Sequence, residues 1–393
     1  MLRTLWTVGV VVLAAGSTGR AADFPRFEAV TIDSDIGKVC YAVATADVNG
    51  DSQPDIVAVS ENRVQWYENP SWTKHVILED QTEKDNVCIA PADIDRDGRV
   101  DFFLGAGWTK IGTIQWIARQ SDPDAKWKVH FIGTELSTHR MSFADVLGKG
   151  RPQLVVSPLL RSKGPGARLM AFEVPGNPRE DNWTPMVLDE SLNRMHNHTH
   201  LDWNGDRLLD TFVAAEQGVF AIERTKDGSF QKTLVGTGAT GDRPENRGAG
   251  EIKVGRGPKD QVFLATIEPM HGTHAVVYFP RSDGSLPWER VELDGTLKQG
   301  HAVWTADLNG DRVDEVVIGH REAGMGPVAG PGLYAFSRTD AAGRTWTKHV
   351  IDNGGCAVED ALAADFNGDG RIDLVAGGRA THNVKLYLNR AAQ

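Results

Sequence analysis

Cysteine is scarce in this chain. There are three in 393 residues, Cys40, Cys88 and Cys356. A disulfide framework is therefore excluded, and an odd count leaves at least one thiol free or paired between chains. Basic charge is in deficit, with 42 Lys and Arg against 53 Asp and Glu and a net charge of −11. That balance argues against a nucleic-acid partner. Long apolar runs are missing as well. The only early one, Leu5–Ala15, is too short to span a bilayer, and no later segment could cross one. With Arg3 before it and Gly19-Arg-Ala21 after it, this run has the pattern of a secretory signal over residues 1–21, cleaved near Ala21. No Cys follows it to carry a lipid anchor. The expected product is a secreted or periplasmic chain over residues 22–393, in a compartment where millimolar calcium fills weak sites.

The most informative feature present is an acidic phrase that occurs five times. It runs Asp47-Val-Asn49-Gly-Asp51…Asp55, Asp93-Ile-Asp95-Arg-Asp97…Asp101, Asp202-Trp-Asn204-Gly-Asp206…Asp210, Asp307-Leu-Asn309-Gly-Asp311…Glu315 and Asp365-Phe-Asn367-Gly-Asp369…Asp373. Oxygens at loop positions 1, 3, 5 and 9 can wrap one Ca²⁺, so about five calcium sites are expected. The phrase is not an EF-hand. Position 12 holds Ala58, Leu104, Val213, Ile318 or Ala376 in place of Glu, and the flanks alternate like strands. Ser52, Arg207 and Arg312 replace the usual Gly at position 6, which is expected to loosen those three turns.

Two further segments keep the strand pattern without the ligands. One, from Ala144, retains only Asp145. The other, from Ile252, retains none. Position 1 then falls at 47, 93, 145, 202, 253, 307 and 365, a spacing suited to four-stranded propeller blades. Each unit supplies an inner strand A, an apolar strand B, a third strand C and a fourth strand D that begins near a Trp. The seventh unit ends after strand C, and Phe27-Glu-Ala-Val-Thr-Ile resembles the missing D strand. The expected fold is all-β, a seven-bladed propeller in one domain, with its last blade closed by the N-terminal strand. These units resemble the FG-GAP/VCBS repeat family of seven-bladed propellers. Cys40 and Cys356 would then begin inner strands of neighbouring blades, close enough to admit a disulfide.

The acidic loops place every other residue on a face. They join A to B at the bottom, so the starts of A and the B–C loops share the top. Six residues before position 1 stand Tyr41, Val87, His139, His196, Arg247, His301 and Glu359. Six of these seven are polar or ionisable, a ring of functional side chains at the channel mouth. His75, His130 and His349 recur on D strands and are assigned to structure. The other nine histidines fall on inner strands or B–C loops.

Neutral imidazoles with a carboxylate suit Zn²⁺ or another divalent transition metal, here His139, His196, His301 and Glu359. Such a metal polarises a carbonyl and acidifies the neighbouring proton. A His or Tyr beside it serves as general base or acid. This set suits β-elimination from an oxidised (keto or uronic) sugar, with His139, His196, His301, Tyr41 and Arg247 as catalytic candidates. Substrate contacts are assigned to Trp108, Arg140, His198, Glu268, His271, His320, Arg321, Asp360 and Arg379. The phrases Gly300-His-Ala-Val-Trp-Thr-Ala-Asp and Val-Ile-Gly-His320-Arg-Glu look like the propeller part of aldos-2-ulose dehydratase. That resemblance implies removal of water from keto-sugars at a metal site. The cupin domains of that family have no counterpart here. A carbon–oxygen lyase is the favoured class. The alternative is a non-catalytic module binding a glycan or a partner protein.

Overall fold

The computed structural model describes residues 24–326 and 330–391. The signal segment expected over residues 1–21 lies outside them. Among the described residues the chain forms seven four-stranded antiparallel sheets, with two short 3-10 turns and no α-helix. The inner strands stand side by side in a closed ring, the first against the seventh. The B strands are buried, all but Val262 at the start of the blade 5 strand, as in Asp55–Val59 and Glu315–His320, because a blade is covered on both faces by its neighbours. The D strands form the outer, largely exposed edge of each blade, as in Thr73–Glu79.

Six blades are built from consecutive strands. The seventh takes Val358–Ala364, Asp373–Gly378 and Val384–Arg390, and is completed by Arg26–Asp33. That last pairing runs antiparallel from Arg26 opposite Arg390 to Asp33 opposite Val384. It caps the edge that the final blade would otherwise leave open. The D-strand histidines are structural. His75 stacks on Trp66 at 4.3 Å and His130 on Trp116 at 4.8 Å, each across the C–D pair, while His349 stacks on Phe24 at 3.6 Å. All three cysteines are buried free thiols, so no disulfide joins Cys40 to Cys356.

The five acidic loops share one backbone conformation. Position 4 has positive φ in Gly50, Arg96, Gly205, Gly310 and Gly368. Position 6 does too, in Ser52, Gly98, Arg207, Arg312 and Gly370. Ser52, Arg207 and Arg312 therefore hold the same turn as the glycines, at φ 68–71°. The turns are not loosened; the left-handed strain is borne there by residues with a Cβ. The Gly310 Cβ position is open space, so its cost is conformational alone. Gly310→Ala should cost about 1–2 kcal/mol and Arg312→Gly should return a similar amount, read from urea midpoints in calcium-free buffer.

The loop carboxylates do two jobs. Position 1 organises the turn, as Asp47 accepts the N–H groups of Gly50, Asp51 and Ser52 at 2.7–3.0 Å. Position 9 is buried and ties the loop to strand C. Asp55 accepts Val48 N at 2.8 Å and Asn69 N at 2.9 Å, and Asp373 accepts Phe366 N at 3.0 Å and Asn389 N at 2.7 Å. In blade 3 the neutral Gln153 keeps only the loop half of this arrangement, accepting Leu147 N at 2.9 Å.

One register differs from the sequence expectation. In blade 5, Arg256 pairs with Val262, as Leu201 pairs with Asp210 in blade 4. Position 1 of blade 5 is therefore Gly257 and not residue 253. The A–B loop is shortened there and has lost every acidic ligand, so nothing in it fixed the count. Four residues of slip move the ring position of this blade from Arg247 to Glu251.

Candidate functional site at the channel mouth

The ring is built by a repeated irregularity. In blades 3, 6 and 7 the A–B pairing skips one residue of the inner strand, between Thr138 and Arg140, Gly300 and Ala302, and Val358 and Asp360. The extra residues are His139, His301 and Glu359. A bulge breaks the two-residue alternation. Successive side chains such as His139 with Arg140, or Glu359 with Asp360, then both reach partners around the channel instead of one turning into the blade.

At the centre lies a histidine cluster. The ligand atoms of His196, His271 and His301 all lie within 4.8 Å of one another. His196 Nε2 and His271 Nε2 are 2.8 Å apart, and the His301 ring centroid is 4.7 Å from His196 and 4.9 Å from His271. His271 arrives from the B–C loop of blade 5, where it holds φ 56°, a left-handed conformation that a non-glycine residue keeps only when its surroundings enforce it. Two of the far nitrogens have close neighbours. His301 Nδ1 donates to the Glu359 carbonyl, and His196 Nδ1 lies 2.7 Å from Glu251 Oε1. His301 Nε2 is buried without a hydrogen-bond partner, and His196 Nδ1 meets Glu251 as a close ionic contact without hydrogen-bond alignment. His139 packs 4.5 Å from His196 and donates Nδ1–H to the His196 carbonyl at 3.0 Å. Burial, then nearby cationic guanidinium groups, hold His139, His196 and His301 well below the usual imidazole range. Burial and then His196 push His271 down to about 2. All four are neutral at physiological pH.

Charged and aromatic groups rim the cluster. Glu359 accepts Arg321 Nη2 at 2.7 Å and Arg379 Nη1 at 2.8 Å, both on Oε1. The Arg379 guanidinium lies 5.8 Å from the Tyr41 ring, whose hydroxyl donates to Asp85 at 3.0 Å. Burial and then Asp85 raise the Tyr41 phenol above its ordinary value, so it stays protonated. Trp108 stands edge-on to His139 at 6.1 Å. Arg140 reaches Glu251 at 3.2 Å.

Other residues named from the sequence lie elsewhere. His198 is buried against blade 3, with Ser157 Oγ 2.8 Å from Nδ1 and Ser142 Oγ 2.7 Å from Nε2; Ser142 also meets His200 at 2.8 Å. Asp360 accepts Val43 N at 3.0 Å and is raised to about 6 by burial, against the pull of Arg140. Arg247 is outside the cluster and pairs with Glu216 at 2.5 Å. Glu268 is fully buried in blade 5, bound to Tyr278 at 2.5 Å and Arg290 at 2.9 Å. His320 bonds the Glu322 carbonyl at 2.8 Å and packs on Tyr334. Sequence reasoning missed Glu251. The signal available was its place just before the Ile252 strand, hidden by the register slip.

Comparisons with known proteins agree with this architecture. Residues 111–281 match the family model for the aldos-2-ulose dehydratase β-propeller domain, and residues 47–104 match that for an FG-GAP-like repeat. The first match contains His139, His196, Glu251 and His271 and ends before His301. No curated protein matches the chain. Among solved structures, an Agrocybe aegerita lectin described as recognising non-reducing terminal N-acetylglucosamine is similar at 13% identity and TM-score 0.53, over 90% of this chain and 86% of the lectin. The extracellular domain of a putative hybrid two-component system from B. thetaiotaomicron is similar at 12% identity and TM-score 0.54, over 92% of this chain and 40% of that one. At these identities the likeness is one of fold.

Proposed function

We propose that this propeller is a metal-dependent carbon–oxygen lyase acting on an oxidised sugar at the channel mouth. The observation that carries the reading is the convergence of His196, His271 and His301, all neutral, the first and last buried and His271 half-buried, with ligand atoms within 4.8 Å of one another. The buried His301 Nε2, which has no hydrogen-bond partner, fits the donor set of a cation site. The set corresponds to a three-histidine site for Zn²⁺ or a similar ion. When bound, such an ion polarises a sugar carbonyl and lowers the barrier to removing the adjacent proton. His139, neutral and with Nδ1 committed to a carbonyl, offers Nε2 as the base. Tyr41 is the protonated group that can return a proton to the departing oxygen. The reaction breaks a C–H bond α to the carbonyl and the C–O bond β to it, and releases water or an alcohol. Arg321 and Arg379, already gathered by Glu359, favour a substrate bearing a carboxylate or an enolate-like oxygen. The match of residues 111–281 to a dehydratase propeller supports this reading.

We place Ca²⁺ in the five acidic loops. Burial, then neighbouring loop carboxylates, raise Glu315 to about 8 and Asp101 to about 7, an uncompensated acidity that a cation would relieve. A second reading, supported by Trp108 and by the lectin-like fold, is a glycan-binding site at the same mouth without turnover.

The test is metal analysis of protein purified without chelator, followed by incubation with keto-sugars and uronides. One transition metal per chain besides calcium, and a growing ultraviolet absorbance from a conjugated carbonyl, are expected. Saturable glycan binding with no new absorbance and no transition metal would favour the second reading. For the loops, chelation should lower the melting temperature, because an ion bound only to the native state stabilises it by mass action.

A further inference from the structure

The ring histidines are anchored by a common device with one exception. His139 donates Nδ1–H to the backbone carbonyl of the next ring residue, His196, and His301 does the same to Glu359. At His196 the next ring residue is Glu251, which presents its side chain instead of its carbonyl. Glu251 Oε1 lies 2.7 Å from His196 Nδ1, and both residues are almost wholly buried.

That carboxylate is itself held. Arg140, from the bulge in blade 3, lies 3.2 Å from Oε1, and the Asn197 amide bonds Oε2. Three successive inner strands therefore meet on one carboxylate behind one ring. A charged acceptor binds an imidazole N–H more strongly than a neutral carbonyl does. It also makes the opposite nitrogen a better donor to a metal and fixes which nitrogen that is.

We propose that Glu251 is a positioning residue. It holds His196 with Nδ1 toward the carboxylate and Nε2 presented to the cluster. This rests on the reading of the histidine cluster as a metal site. The carboxylate touches neither the ion nor the substrate, and its effect passes entirely through His196.

The experiment is a Co²⁺ titration of chelator-stripped, calcium-replenished protein, followed by visible absorption. Glu251→Gln keeps the shape and removes the charge. It should weaken Co²⁺ binding by about 10–100-fold, the range for lost outer-shell partners, and shift the ligand-field bands. Asn197→Ala frees one oxygen and keeps the charge, so it should act in the same direction and less strongly. Glu216→Gln, a buried carboxylate on the same face that pairs with Arg247, should change neither quantity. Wild-type protein that takes up no Co²⁺ would overturn the metal reading and this role with it. Wild-type binding matched by Glu251→Gln in affinity and spectrum would overturn the role of Glu251 alone.

Discussion

His271→Ala should purify without the proposed transition metal and without the proposed lyase turnover, while any calcium-dependent melting stays that of the wild type. His271 is the one member of the cluster on a loop. Its ring touches His196 Nε2 and faces His301, and no hydrogen bond from its side chain supports a blade. Alanine at φ 56° carries the same Cβ strain that histidine already bears, so the loop gains no new cost. Removing a direct ligand should reduce metal affinity by more than the 10–100-fold that follows from losing an outer-shell partner. His139→Ala separates the roles, because it should keep the metal and lose turnover. Full metal occupancy in His271→Ala would remove this residue from the site. The depressed imidazole values add a check on sign. Protons compete with a metal only below a ligand's own pKa, so occupancy should persist as pH falls below 6.5, the ordinary imidazole value, through at least about pH 5.

The second large effect concerns stability. Asp373→Ala leaves two N–H groups, of Phe366 and Asn389, without acceptors in a site with no solvent exposure. At about 1–3 kcal/mol for each stranded group, the loss should be about 2–6 kcal/mol. It should occur with or without calcium. Asp365→Ala, near the surface of the same loop, provides the contrast. Water can replace its turn bonds to Asp369 and Gly370, so the calcium-free protein should melt nearly as before. What it should lose is the rise in melting temperature on adding calcium. Denaturant midpoints of both variants in chelator and in excess calcium decide the matter. An Asp373→Ala protein destabilised only in calcium would mean that position 9 is a ligand and not a brace.

The fold was legible because the acidic phrase marks one point in five of seven blades, and the closing strand announced itself through Phe27-Glu-Ala-Val-Thr-Ile. The site was legible in part. Counting back from the phrase found His139, His196, His301 and Glu359. It failed where the phrase had decayed, since the short blade 5 loop offers no landmark and the count landed on Arg247 instead of Glu251. His271 was named as a substrate contact. That it meets His196 and His301 depends on how a B–C loop folds back over the channel, which no period in the sequence encodes. The roles of Glu359 and His320 also turned on contacts beyond pattern, with two guanidinium groups claiming the one and a backbone carbonyl the other.

The pairing of Arg26–Asp33 with Val384–Arg390 also sets an order of events. Six blades consist of strands adjacent in the chain and can form as soon as each is synthesised. The seventh joins segments from opposite ends, and bringing them together carries the largest loop-closure entropy in the molecule. The histidine cluster depends on it, because Glu359, whose carbonyl holds His301, belongs to that blade. Ring closure should therefore be the late and slow step in folding, and uptake of the proposed metal should wait for it.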